Sequence, residues 1–238
     1  PLLTPPPPAP AATDKKARGE WLLQVSSCHD CHDSFDSKRR PIAGKALLDH
    51  VLGRLGDFRR DAGIVVATSS LAQDDAIEAH CRSRVACFRG SEQDVLDRYF
   101  RCASAYGFEH VVRLTADNPF TDIEELERLV DFHCMGGYDY THSFGMMPLG
   151  VGAEVFTFEA LAASHREGMA PNHREHVNEF IQENPQRFCI GVLDVPMAKR
   201  APELRMTVDT QEDYERACRL AELAVPKWQT TVGAIAAC

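Results

Sequence analysis

The chain lacks a surplus of positive charge: 26 Lys and Arg stand against 35 Asp and Glu in 238 residues, a formal net charge of −9. Nucleic-acid backbones and anionic membranes reward basic patches, so neither is expected as the main partner, and an anionic ligand would need a local basic site. No apolar run approaches the roughly 18 residues of a membrane span, and no charged-then-apolar leader opens the chain. A soluble protein is expected. The first residue is Pro1 rather than Met, which suits a processed product or an incomplete reading of a longer chain alike; the cytoplasm is expected, or an organelle matrix if the start is that of a trimmed import product. Nine cysteines form an odd set with no close-spaced disulfide framework. Cys81, Cys87, Cys102, Cys134, Cys189 and Cys218 fall singly within predicted elements and read as small hydrophobes in a reducing compartment.

What is present is enough chain for one sizeable core. Residues 1–20 are an arm, rich in Pro and Ala as far as Lys16, that cannot bury enough apolar surface to order itself, 21–224 form one domain, and 225–238 are a tail with no strong signal. The centre of the pattern is His110–Pro119, His-Val-Val-Arg-Leu-Thr-Ala-Asp-Asn-Pro. Apolar and β-branched residues give way to Asp117 and a proline, so a buried strand ends on a carboxylate. In an open α/β sheet ligands sit at that end of a strand, where Asp117 can hold a cation or can instead cap a helix starting near Asp122.

Around this centre strands and helices alternate. Strands are expected at Trp21–Val25, Ile64–Thr68 and Ala86–Phe88; helices at Gly44–Leu55, Asp74–Ser83, from Ser91 with its Asp94 partner to Tyr106, and Asp122–His133. That rhythm predicts a mostly parallel sheet with right-handed crossovers. From Tyr138 it changes: Tyr138–Ser143 and Glu154–Phe158 flank a turn containing Gly150 and Gly152, which predicts an antiparallel excursion. A helix over Asn172–Asn184, strands over Phe188–Val195 and Leu204–Val208, and a helix from a Thr210/Asp213 cap to Ala224 complete the reading. Cys28-His29-Asp30-Cys31-His32 matches the covalent haem-attachment pattern. Haem needs a helical cage and an axial ligand that an α/β pattern does not supply, and one such cluster is short of four zinc ligands, so an incidental polar loop without haem is expected.

Six runs together resemble the cytidylyltransferase family of spore-coat polysaccharide biosynthesis, related to CMP-ketodeoxyoctonate and CMP-sialate synthetases. They are Ile64-Val-Val-Ala-Thr-Ser, Phe88-Arg-Gly-Ser-Glu-Gln-Asp-Val-Leu-Asp-Arg-Tyr, Val112-Arg-Leu-Thr-Ala-Asp-Asn-Pro, Ala153-Glu-Val-Phe-Thr-Phe-Glu-Ala-Leu, Arg174-Glu-His-Val and Leu204-Arg-Met-Thr-Val-Asp-Thr, in the family's order. The resemblance implies a three-layer α/β/α nucleotide-diphospho-sugar-transferase-like fold. It also implies a reaction in which a sugar oxygen attacks the α-phosphate of CTP and releases pyrophosphate. Asp117 and Asp209 would be paired Mg2+ ligands, with Arg113, Glu154, Arg174, His176 and Arg205 on the sugar side.

One stretch departs from the family. Where members carry Gln-Ala-Arg and then Ser-x-Arg-Leu-Pro-Gly-Lys to hold the triphosphate, this chain reads Gln24-Val-Ser-Ser-Cys-His-Asp-Cys-His-Asp33. The arginine is absent and two aspartates repel a triphosphate. Lys38, Arg39, Arg40 and Lys45 are the basic residues nearby that could take over the grip. Two functions follow: a nucleotidyltransferase with impaired nucleotide binding, or an inactive family member serving as a structural subunit of a larger assembly. Partners would be nucleotide and sugar in the first case, and proteins docking on the Pro-rich arm in the second. A homo-oligomer is compatible with both.

Overall fold

A computed structural model describes residues 41–60, 62–222 and 230–237, together with the backbone of 21–27. Residues 28–40 and the whole N-terminal arm, 1–20, therefore lie outside the described residues, as do the Cys28–His32 cluster and Lys38, Arg39 and Arg40.

A seven-stranded sheet runs in the order β3-β2-β1-β4-β6-β5-β7. Its strands are β1 (Trp21–Ser27), β2 (Ala62–Ser69), β3 (Ala86–Gly90), β4 (His110–Thr115), β5 (Tyr140–His142), β6 (Glu154–Thr157) and β7 (Ile190–Val192). β1 pairs in parallel with β2 and β4, and β2 with β3, while β6 runs antiparallel to both β4 and β5. The change of rhythm after Tyr138 is this antiparallel insertion, and β7 restores parallel pairing against β5.

The helices are α1 (Leu47–Leu55), α2 (Asp75–Cys81), α3 (Val95–Tyr106), α4 (Ile123–Gly136), α5 (Phe158–Glu167), α6 (Pro171–Glu175), α7 (Glu179–Gln182), α8 (Gln211–Glu222) and α9 (Thr231–Ile235). Alternation along the strands divides them between two faces. Val66, Val112, Leu114 and Val155 meet α1, α4 and α8 through Leu47, Val51, Leu129 and Leu220. Val65, Val111 and Phe156 meet α3 and α5 through Leu96, Tyr99 and Leu161. Each fully buried side chain of this size contributes about 1.5–3 kcal/mol, so the two helical layers hold the sheet from both sides. Among the described residues no helix is long and apolar enough to cross a membrane.

Three elements differ from expectation. Leu204–Val208 is extended but makes no ladder beyond one bridge of Arg205 to Leu149; the Met206 amide donates to the Leu149 carbonyl (2.7 Å) and the Val208 amide to that of Asp117 (2.9 Å). Loops, not a neighbouring strand, satisfy this segment. The helix expected over Asn172–Asn184 breaks into α6 and α7 at His176, whose extended backbone (φ −108°, ψ 103°) turns Val177, Phe180 and Ile181 into the core. Within 225–238, α9 docks through Ala234 and through a hydrogen bond from Thr231 Oγ1 to Asp122.

Candidate active site

β4 positions the first carboxylate. After Thr115 the chain turns, with the Asn118 amide donating to the Thr115 carbonyl (3.2 Å) and Asn118 Nδ2 to Thr115 Oγ1 (2.7 Å), so Asp117 sits at the tip beyond the sheet. Asp122 itself caps α4, its Oδ1 accepting from the Glu125 amide (3.0 Å). Asp117 is therefore not the helix cap. The bond from the Val208 amide to the Asp117 carbonyl brings the second strand-end carboxylate beside the first. Asp117 and Asp209 both line one cleft of about 390 Å3 with Asn118, Thr207, Gly150 and Phe144.

Gly150 closes this wall. Its φ of +89° is a left-handed conformation, and a Cβ there would lie 2.5 Å from the Thr207 nitrogen and 2.8 Å from Asn118 Oδ1. Only glycine lets the two strand-end segments approach so closely.

Asp209 is held by a guanidinium and a hydroxyl. Arg205 Nη2 is ion-paired to its Oδ2, which also accepts from Thr207 Oγ1 (3.2 Å). Arg205 Nε bridges onward to both oxygens of Asp213 (3.2 Å each). Asp213 and Thr210 form a reciprocal cap for α8: the Asp213 amide donates to Thr210 Oγ1 (3.2 Å), and the Thr210 amide to Asp213 Oδ2 (3.1 Å). Burial pushes the Asp213 carboxyl up, but hydrogen bonds from Thr210, the Asp209 amide, Arg205 and Arg216 outweigh it and hold the group below the usual carboxylate range. Two carboxylates lining one cleft with an amide oxygen beside them are an oxygen donor set suited to a hard divalent cation, and the Arg205 guanidinium on Asp209 is the charge such a cation would compete with. Among the described residues no third His, Cys, Asp or Glu joins them.

Below the cleft lies a buried network. Arg113 Nη1 donates to Glu154 Oε1 (2.5 Å) across the β4–β6 pair, and Glu154, fully buried, accepts from the Tyr140 hydroxyl at its other oxygen (2.6 Å). That hydroxyl accepts in turn from Asn178 Nδ2 (3.1 Å) and Gln182 Nε2 (3.4 Å). Burial alone would lower the Arg113 pKa, but the Glu154 charge raises it, so Arg113 stays a fixed cation.

The remaining sequence candidates are dispersed. Arg174 Nε faces Asp94 (3.3 Å) at the start of α3, and its Nη1 donates to the His165 carbonyl (3.0 Å). His176 is exposed at the end of α6. Neither is among the described residues that line the cleft with Asp117 and Asp209. Lys45 is exposed on a tight turn in which the Ile42 and Lys45 amides and carbonyls exchange hydrogen bonds (2.9 and 3.0 Å), tied to α8 by the Tyr214 hydroxyl donating to the Pro41 carbonyl (3.1 Å). Tyr140, Asn178 and Gln182 carried no sequence signal of their own; Asn118 and Thr207 stood inside motifs, and Gly150 inside a turn, without an assigned role.

The cytidylyltransferase family pattern matches residues 38–230. The chain is 37% identical over 182 residues to the spore coat polysaccharide biosynthesis protein SpsF of Bacillus subtilis, covering 74% of this chain and 75% of that one. It is 35% identical over 175 residues to an uncharacterised protein of Methanocaldococcus jannaschii, covering 73% and 72%. The structure of a cytidylyltransferase from Leptospira borgpetersenii superposes with a TM-score of 0.82 at 26% identity over 91% of both chains. A CMP:2-keto-3-deoxy-manno-octonic acid synthetase complexed with CTP superposes with a TM-score of 0.66 over 84% of this chain and 98% of that one; at 14% identity this is a likeness of fold.

Proposed function

Because the chain belongs to the cytidylyltransferase family, we propose that it is a nucleotidyltransferase that activates a sugar with CTP, working through the cleft at the ends of β4 and the 204–209 segment. The sugar oxygen forms a bond to the α-phosphorus while the bond from that phosphorus to the bridging oxygen breaks, and pyrophosphate leaves. The observation that carries this reading is the placement of Asp117 and Asp209 in one cleft, tied by the Val208–Asp117 backbone bond. Those two carboxylates would hold Mg2+, which when bound supplies charge neutralisation at the reacting phosphate. Arg205 is ion-paired to Asp209. Arg113, ion-paired to the buried Glu154, is a fixed cation whose charge is also felt by Asp117, and it would help to set the orientation of the Asp117 segment. Arg174 and His176 would belong to the sugar side only if substrate reaches past the cleft toward α6.

The grip on the triphosphate is weak in this reading. The Gln24–Asp33 stretch lacks the family's arginine and carries Asp30 and Asp33. Each lost charge-assisted bond to phosphate is worth about 1.5–3 kcal/mol. Calorimetric titration of CTP with Mg2+ present tests it, alongside pyrophosphate release with acidic sugars as acceptors. Binding weaker than micromolar together with slow pyrophosphate release is expected. Micromolar affinity would show that Lys38, Arg39, Arg40 or Lys45 restores the grip. No binding at millimolar CTP would favour the other reading that the rewritten loop supports, a non-catalytic structural subunit.

A further inference from the structure

A second cavity, of about 400 Å3, has basic walls in a chain whose net charge is −9. Arg205, Arg216 and Arg219 line it with one carboxylate, Glu203, and with Leu204 and Leu220; it closes at Ala237, just beyond α9. It shares no lining residue with the cleft that holds Asp117 and Asp209. Arg205 connects the two, since it lines this cavity while its Nη2 is ion-paired to Asp209.

Like charges gather here because one buried carboxylate holds two of them. Asp213, on the first turn of α8, accepts at Oδ1 from both Arg205 Nε (3.2 Å) and Arg216 Nη1 (2.9 Å). Arg216 Nη1 also donates to the Arg205 carbonyl (3.0 Å), which fixes the 204–209 segment against the helix. Arg219 follows Arg216 by three residues and so shares its helix face. These bonds leave donors over. Arg216 Nη2 reaches only the exposed Glu212, at 3.8 Å, and the exposed Arg219 makes no hydrogen bond or ion pair among the described residues. Guanidinium donors lining a cavity match the oxygens of a phosphate group. The volume exceeds what a lone phosphate fills and falls in the range of small-molecule pockets, which begins near about 300 Å3. Among the described residues no aromatic side chain lines it, so a nucleobase finds no stacking platform.

We propose that this cavity is a binding site for a small phosphorylated sugar, separate from the cleft of Asp117 and Asp209. The phosphate oxygens accept from Arg219 and from the remaining donors of Arg216 and Arg205. Sugar hydroxyls donate to Glu203, and the C–H face of the ring lies on Leu204 and Leu220. Three guanidiniums against one lining carboxylate favour a dianion over a neutral sugar. Because guanidiniums alone meet the phosphate, the site needs no divalent cation, and it stands whether or not the cleft transfers a nucleotide.

The test titrates the full chain by calorimetry with ribose 5-phosphate, inorganic phosphate and ribose, in EDTA and at fixed ionic strength. Ribose 5-phosphate is expected to bind at millimolar concentration or below, inorganic phosphate more weakly, and ribose not at all. Arg219→Met should weaken ribose 5-phosphate by about tenfold or more, and Arg219→Glu should abolish its binding, as loss and reversal of a charge-assisted partner do. Arg219 is exposed, so both variants should keep the fold. Phenylglyoxal locates the ligand, because it modifies exposed arginines and blocks trypsin after them. Ribose 5-phosphate should restore cleavage between Arg219 and Leu220 while the exposed Arg82 stays modified. Asp117→Asn should bind ribose 5-phosphate as the native chain does. The proposal is overturned if ribose 5-phosphate does not bind at millimolar concentration, if Arg219→Met binds it as the native chain does, if inorganic phosphate or ribose binds as tightly, or if Asp117→Asn removes the binding, which would put the ligand in the cleft. None of these readouts depends on CTP turnover.

Discussion

Two clusters of charge stand a few residues apart along the chain and do opposite things. In the first, Lys199 Nζ is surrounded by Asp122 (3.0 Å), Glu124 (2.8 Å) and Glu125 (3.0 Å), with Thr231 Oγ1 donating to the same Asp122 oxygen that Lys199 meets. In the second, Arg205 spans Asp209 and Asp213 at the cleft. Both gather several carboxylates around one cation. The Lys199 side chain is 9% exposed and the Arg205 side chain 41%. Burial alone would lower the Lys199 pKa, but three carboxylates raise it, and the ammonium is locked. Arg205 keeps contact with solvent, and its partner Asp209 lines the cleft. The number of charges does not mark a site; a carboxylate that opens on a cavity does.

The largest effect should come from breaking the locked cluster. Lys199→Met leaves three carboxylates around an apolar side chain and should destabilise the fold by about 3–5 kcal/mol in chemical denaturation, with CTP affinity unchanged in the folded fraction. A loss of CTP affinity in the folded protein would place Lys199 at the ligand and erase the contrast.

Asp209→Asn should do the reverse, changing unfolding stability by less than about 1 kcal/mol while lowering nucleotidyl transfer by about a hundredfold or more, as removal of a charge-stabilising group does. Equal activity in the variant would remove Asp209 from the chemistry.

At the opposite end of β4 from Asp117, His133 Nδ1 meets Thr141 Oγ1 (3.0 Å) and Nε2 meets His110 (3.3 Å). Burial first, and the neighbouring His110 second, lower its pKa from 6.5 to about 4. Below pH 6.5 the unfolded chain takes up a proton that the folded chain does not, so stability should fall by about 2 kcal/mol as pH drops from 6.5 to 4, and His133→Gln should flatten that slope. Urea midpoints across this range read the difference directly.

The smallest change is Tyr140→Phe. It removes one donor from Glu154 and one acceptor from Asn178 and Gln182, and should cost about 1–2 kcal/mol of stability. A larger fall in kcat than in stability would show that the Arg113–Glu154 network tunes the cleft as well as holding it.

Much of this molecule is legible along the chain. The alternation of strand and helix, the antiparallel insertion after Tyr138 and the Thr210/Asp213 cap all follow from local periodicity and short-range hydrogen bonding. For α3 the cap falls on Asp94, whose Oδ1 accepts from the Asp97 amide (2.8 Å), while Ser91 Oγ accepts from the Asp94 amide (3.0 Å). The motif was visible, but which residue ends up as the cap depends on where β3 delivers the chain. Leu204–Val208 has strand composition and yet no strand neighbour, because the positions beside it are occupied by the Asp117 and Leu149 loops.

The sequence alone therefore determined the class of fold and the family, and singled out Asp117 at the end of a strand, since period, cap chemistry and motif order are properties of neighbours along the chain. Only the tertiary structure decided that Asp117 and Asp209 share one cleft and that Gly150 is what lets its walls meet. It also decided that Arg174 turns toward Asp94. Each of these joins residues whose separation in space is set by sheet order and helix packing, and one-dimensional spacing carries no measure of that distance.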